Sequence, residues 1–390
     1  MANRPTDHKN LDLDRLNRDV AFGRSDGSII WQPRIQCWFT DKEFAGIPYP
    51  ERYRGMTRSE VYRDLGCSNR VYLYNQCYRK IEPKTVILRE EELGGGRIKR
   101  IVETPVGSIH AIFKKTPNSP LEIREEYWVK TPEEMRVATW VLDESSWEWD
   151  QDKFDEIHRE WGDLGAPNMY MPRINVQDLY INTMGVENAV YAIMEWGDIV
   201  KDYFRALHEN HLRMIEVINE SPIELICFGD NFHCATLSPK LFEQYVLPAY
   251  LDRCDKLHKG GKFVFSHWDG DTKALLPYAK TCGLDGIEAI TPIPQGDVTL
   301  EEMKEALGDE IVLFDGIPAI LFDEIYPEEE LIACTEKVIE YFAPKLILGI
   351  SDEMSSTGDL ERVRLVGEIV DNYNADIATE KGTERRLEQV

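Results

Sequence analysis

The stretch FVFSHWDGD, residues 263–271, decides how this chain is to be read. An unbroken aromatic and β-branched run is the pattern of a strand buried on both faces, as in a parallel sheet. It stops abruptly at His267, Trp268, Asp269 and Asp271. Groups that bind protons or metals thus stand at the C-terminal end of a buried strand. On either side the same alternation continues. Residues 222–229 (PIELICFG) form a strand, and 239–259 a helix with Ser238 as N-cap. Residues 272–282 form a helix stopped by Gly283, and 284–290 a short strand. A helix over 300–307, a strand over 311–315 (IVLFD), a helix over 327–342, a strand over 346–351 (LILGIS) and a closing helix over 359–372 complete the series. Short apolar strands alternating with helices imply βα units and a parallel sheet.

The N-terminal half is less regular. Residues 34–39 (RIQCWF) are expected as a first strand, 56–65 as a helix, 85–92 as a second strand and 168–175 (NMYMPRIN) as a third. With the five later strands these make eight, the count of a (β/α)8 TIM barrel. No G-x-G-x-x-G follows any strand, which disfavours the open doubly wound sheet. The Gly triplet in ELGGGRIKRIVETPVGSIHAIFKK (92–115) marks a β-hairpin insertion. The expected organisation is an N-terminal helical extension over 1–33, the barrel over 34–375 with an inserted region at about 92–130, and a tail over 376–390.

Seventy acidic against 45 basic residues give a formal charge of −25, which argues against a nucleic-acid partner and against docking on anionic lipid. No apolar run of about 18 residues suggests a membrane span, and the N-terminus lacks the apolar stretch of a signal peptide. Eight scattered cysteines with no C-x-x-C pair point to reduced thiols and a cytoplasmic setting. Oligomeric state is not encoded in any motif; a homodimer is one arrangement left open.

In a (β/α)8 barrel the active site lies at the C-terminal ends of the strands. Those ends deliver Asp230 with His233, then His267 and Asp269, then Glu288, Asp315 and Asp352, while the 168–175 strand adds Arg173 and Asn175. A single Asp after a strand is most often a helix cap; five strands delivering acids or His to one rim are harder to dismiss. His267 and Asp269 form an H-x-D pair, and imidazole with carboxylate is a good zinc donor set when another strand supplies a third ligand. The competing reading makes His267 a rim histidine and Asp269 a turn residue. His208 and His211 sit on one helix without an apparent third ligand, and Cys234 lacks a base to activate it.

The segments FGDNFHCATLSPKLFEQYVLPAY, FVFSHWDGDTKALLPYAKTCGLDGIEAI, IVLFDGIPAILF and LILGISDEMSSTGDLERV, in that order, resemble the uroporphyrinogen decarboxylase superfamily over roughly residues 160–375. That resemblance implies a (β/α)8 barrel. The decarboxylase branch carries an Arg-rich segment after its first strand; the corresponding CWFTDKEF (37–44) has no Arg. The methyltransferase branch matches better. Its members bind zinc through H-x-C after a barrel strand and a late Cys. His267 matches the motif His, Asp269 stands in place of its Cys, and Asp352 falls near the late Cys, with Asp230 or His233 at an earlier ligand position. Hard donors in place of thiolates suit a Lewis acid acting on oxygen. The resemblance therefore implies a Zn2+-dependent O-demethylase. It would take the methyl group of a small-molecule donor, such as a methoxylated aromatic, and pass it to the Co(I) of a separate corrinoid protein. His267, Asp269 and Asp352 are the expected metal ligands. Asp230, Glu288 and Asp315 are the expected catalytic acids, and Trp268, Arg173, Asn175 and His233 the substrate contacts. The alternatives are methyl transfer from a methylated corrinoid to a thiol or folate, a metal-free lyase, and a non-catalytic binding protein.

Overall fold

The computed structural model describes residues 12–117 and 119–388, with the side chains of 380 and 382–388 left undescribed. Seven strands form one parallel sheet in the order Ile30–Trp31, Leu346–Ser351, Val312–Pro318, Gly286–Glu288, Phe263–His267, Leu225–Phe228, Asn168–Met171. Each step from the second strand onward pairs neighbours in the chain, as right-handed βα units require. The sheet is curled into a barrel. Residues 68–75 lie between its two edge strands: Ser68 N–H donates to Trp31 O at 2.9 Å, and Asn75 Oδ1 accepts from Tyr170 N–H at 2.8 Å. From that segment Arg70 reaches Glu288 and Asp315 on the far strands.

Strand periodicity of two sorts the side chains into two cores. Ile30, Leu225, Cys227, Phe263, Phe265, Phe314 and Ile347 fill the barrel interior. Phe265 and Phe314 stack there with centroids 4.3 Å apart. Val20 and Ala21 of the helix Leu13–Ala21 pack onto the same cluster and close the bottom of the barrel. The alternate residues, among them Ile226, Phe228, Val264, Ile287 and Leu348, face the helical shell.

Local signals explain the helices that formed as expected. Leu300–Leu307 starts with a reciprocal box between Thr299 and Glu302, and Ser238 caps the helical run that leads to Lys259. Four expectations need correction. Residues 34–39 are not the first strand. That role falls to Ile30–Trp31, because Pro33 cannot continue the ladder, and Gln36–Ala45 is a helix ending at Gly46 with φ +67°. Residues 85–92 are not a barrel strand. Ile87–Gly94 opens a four-stranded antiparallel sheet running to Ser119–Glu126, so the expected hairpin is a meander over 87–126. The barrel therefore has seven regular strands and an irregular second position. Residues 272–282 contain only the short turn Leu276–Tyr278, since Pro277 removes a backbone donor in mid-segment. Finally, the expected tail from 376 continues the helix Leu360–Glu388, and the expected 1–33 extension contains a barrel strand, with residues 1–11 outside the described residues.

Candidate active site

The mouth of the barrel holds a cavity of about 500 Å3 lined by Arg34, Tyr72, Tyr170, Arg173, His267 and Asp352, among others. His267 follows Phe263 and Phe265 in the inward register and so points into the mouth. Its Nδ1 pairs with Glu288 Oε1 at 2.7 Å, while its Nε2 faces Asp352 Oδ1 at 3.8 Å. Ligand atoms of His267, Asp269 and Asp352 all lie within 4.8 Å of one another. The expected metal ligands are thus brought together. A carboxylate on the second imidazole nitrogen is the arrangement that orients metal-binding histidines.

Glu288 is the hub beneath. It is fully buried and accepts from Arg70 Nη1, from the Tyr170 hydroxyl at 2.9 Å and from His267. Burial alone would raise its carboxyl; the Arg70 charge and the His267 bond outweigh that and hold it below the ordinary range. His267 shows the reciprocal effect: burial disfavours imidazolium, yet the bond to Glu288 and its charge outweigh that and hold the imidazole above its ordinary value. Asp315 accepts from Arg70 Nη2 at 3.0 Å, and burial pushes it up to about 6. Glu288 and Asp315, expected as catalytic acids, stand under the site and are both engaged by Arg70. Asp269, half-buried, is raised by burial and by the neighbouring Asp352 charge.

Asp352 is also held by Arg34 Nη1. Arg34 lies 7% exposed and further pairs with Glu353 at 3.4 Å and donates to the Tyr72 hydroxyl at 2.9 Å. The donor set fits a divalent cation: one imidazole and two carboxylates, with room for a fourth ligand. Zinc–donor bonds of about 2.1 Å require the three groups to close by roughly an ångström and Asp352 to turn from Arg34 toward the ion.

The remaining expected residues divide. Arg173 lines the cavity and donates from Nη2 to Asn231 Oδ1 at 3.3 Å. Asp230 does not face the mouth. It shares the register of Ile226 and Phe228, and its carboxylate accepts from Ile174 N–H and the Tyr250 hydroxyl. Burial raises Asp230 to about 6. Trp268 follows Val264 and Ser266 outward, is 0% exposed and packs between Phe232 and Phe242. It offers no face to a substrate. Asn175 donates to Tyr245 O and borders an outer groove between helices, not the mouth. His233 bonds Ala235 N–H through Nδ1 and backs onto Gly270, away from the cavity lining.

Sequence reasoning missed Arg34, Arg70, Tyr72 and Tyr170. The first three stand outside any regular strand end. Arg34 was nonetheless findable: Ile30, Gln32 and Arg34 alternate inward from the first strand. The arginines absent from residues 37–44 stand at 34 and 70 instead.

The fold has counterparts among solved structures. A methyltransferase from Methanosarcina mazei superposes with a TM-score of 0.57 at 13% identity, covering 92% of this chain and 98% of that one. A protein described as a vitamin-B12-independent methionine synthase, from Listeria monocytogenes, gives a TM-score of 0.43 at 9% identity, covering 90% of this chain and 98% of that one. No curated protein matches the sequence significantly. A family model described as uroporphyrinogen decarboxylase (URO-D) matches residues 179–373, half of the 390-residue chain. That span contains the H-x-D turn, Glu288, Asp315 and Asp352, and the chain belongs to the uroporphyrinogen decarboxylase family.

Proposed function

We propose that this protein is a metal-dependent methyltransferase that removes a methyl group from an oxygen of a small molecule and delivers it to the Co(I) of a separate corrinoid protein. The observation that carries the reading is the convergence of His267, Asp269 and Asp352 at the barrel mouth, with Glu288 fixing the far side of the imidazole. A zinc ion held by those three residues would supply Lewis-acid help to a leaving oxygen, which departs poorly without it. In the transfer the O–CH3 bond breaks with its electron pair left on oxygen, and the cobalt pair forms the new bond to carbon. Glu288 keeps the His267 ring oriented and its Nε2 free for the ion. Arg70 keeps Glu288 ionised under the site. Tyr72 and Tyr170, with centroids 5.1 Å apart, present the aromatic walls first assigned to Trp268. The fold of the Methanosarcina mazei methyltransferase is compatible with this reading.

One observation favours a second reading, a metal-free lyase. Arg34 already neutralises Asp352, so the mouth can be electrostatically satisfied without an ion. The test is methyl transfer from methoxylated aromatics to a Co(I) corrinoid protein, followed by the change in the cobalt absorption spectrum. Transfer that requires added zinc and disappears in His267→Ala supports the first reading. Transfer unaffected by chelation sinks it.

A further inference from the structure

Arg173 poses a question that the His267, Asp269 and Asp352 group does not answer. It lines the mouth cavity, and its Nε is buried without any hydrogen-bond partner. Buried donors in folded proteins are nearly always satisfied, and an arginine fork left open has lost a charged interaction. Among the described residues its side chain makes one hydrogen bond, the long one from Nη2 to Asn231 Oδ1, at 3.3 Å. The chain carries 70 acids against 45 bases, so a spare carboxylate is easy to find. Among the described residues none lies within 4.0 Å of Arg173. Arg34, by contrast, is saturated by Asp352, Glu353 and Tyr72.

A second guanidinium stands close by. Arg124, from the inserted sheet, donates to Ile181 O and Asn182 O, and its Nε is also buried without a partner. Burial lowers its pKa, Tyr127 and the Asp178 carboxylate act against that, and Arg173 repels it. Asn182 itself lines the same cavity as Arg173. Arg173 and the amides of Asn182 and Asn231 thus line one cavity with His267 and Asp352, while Arg124 stands behind Asn182, over the Phe113 and Tyr127 rings.

We infer that this wall is an oxyanion subsite, and that the substrate is a small molecule bearing a carboxylate held by Arg173 while its methoxy group faces His267. The inference rests on the methyl-transfer reading for the reacting end alone; the anion subsite stands on its own geometry. A planar carboxylate matches the open guanidinium fork, and the tyrosine walls accommodate an aromatic ring between the two ends.

The test is calorimetric binding to the full-length protein of 4-methoxybenzoate and its neutral isostere 4-methoxybenzamide, with inorganic phosphate as competitor. The variants are Arg173→Gln and Arg173→Lys, each checked for unchanged thermal unfolding. The acid should bind wild type at least about tenfold tighter than the amide. Arg173→Gln should bring the ratio to about one, and Arg173→Lys should keep part of it by charge alone. Equal binding of acid and amide by wild type would overturn the inference. So would a preference that survives Arg173→Gln, because the anion would then sit elsewhere. Phosphate displacing the acid at lower concentration than the acid itself binds would reassign the wall to phosphate esters. Acid-selective binding without methyl transfer would remove the methyl-transfer reading and leave the subsite standing. Methyl transfer with no preference for the acid would do the reverse.

Discussion

Replacing Glu288 by Gln tests the hub beneath the mouth. The side chain is fully buried and accepts from Arg70, His267 and Tyr170. An amide of the same shape keeps one acceptor oxygen and turns an NH2 group toward donors. It also removes the charge that, with Asp315, balances Arg70. Breaking one partner of a buried, hydrogen-bonded charge network costs about 3–5 kcal/mol. With about 2.1 cal/mol/K of unfolding entropy per residue, a 390-residue chain loses roughly one degree per 0.8 kcal/mol. Glu288→Gln should therefore lower the unfolding midpoint by about 5 °C, measured by circular dichroism at fixed protein concentration. Arg70→Met should cost a similar amount, because it strands two buried carboxylates. The double variant should lose less than the sum by at least about 1 kcal/mol, since the partners removed are coupled. With the imidazole no longer oriented, zinc affinity should fall about 10- to 100-fold. A midpoint within about a degree of wild type, or a strictly additive double variant, would refute the hub.

Other perturbations separate the mouth from its surroundings. The raised Asp230 carboxyl makes the fold less stable as pH rises: stability is fully present below its ordinary 3.8 and is lost through about 6. Asp230→Asn lacks that titration, so its stability relative to wild type should improve by about 2 kcal/mol between pH 4.5 and 7.5, read by urea unfolding. A flat difference would contradict the burial argument. Arg34→Gln frees Asp352 and should tighten zinc binding in a competitive chelator titration; weaker binding would mean that Arg34 helps to hold the site together. Trp268→Ala should cost about 3–5 kcal/mol of stability by opening a cavity in the helical shell, whereas Trp268→Phe should leave substrate KM unchanged. A raised KM in Trp268→Phe would return the indole to the substrate.

Much of the barrel was legible because its signals are local. LILGIS read directly as a buried strand and residues 300–307 as a helix, which the structure shows to be capped by the Thr299–Glu302 box. His267, Asp269 and Asp352 were legible because strand ends in this architecture converge. The errors have one main source. Position at a strand end was read without register, and register separates His267 from Trp268 and turns Asp230 away from the cavity. Counting by twos along 263–268 and 225–230 distinguishes them. The first part of the barrel was harder, because Ile30–Trp31 is two residues long and the second position is an irregular segment. Arg70 belongs to that segment, and no periodicity marks a side chain that enters the barrel from a loop. Asn175 and His233 were misplaced because the turns after the strands set their directions, which strand composition does not encode.

The proposed function stands on three side chains, His267, Asp269 and Asp352, holding a metal ion at the barrel mouth. Elemental analysis of purified wild type beside His267→Ala, Asp269→Ala and Asp352→Ala, each after zinc incubation and desalting, tests it most directly. About one zinc per wild-type chain is expected, lost in all three variants while their folds remain intact. A wild-type protein that retains no zinc, or variants that retain it all, would rule out a metal site built from these residues.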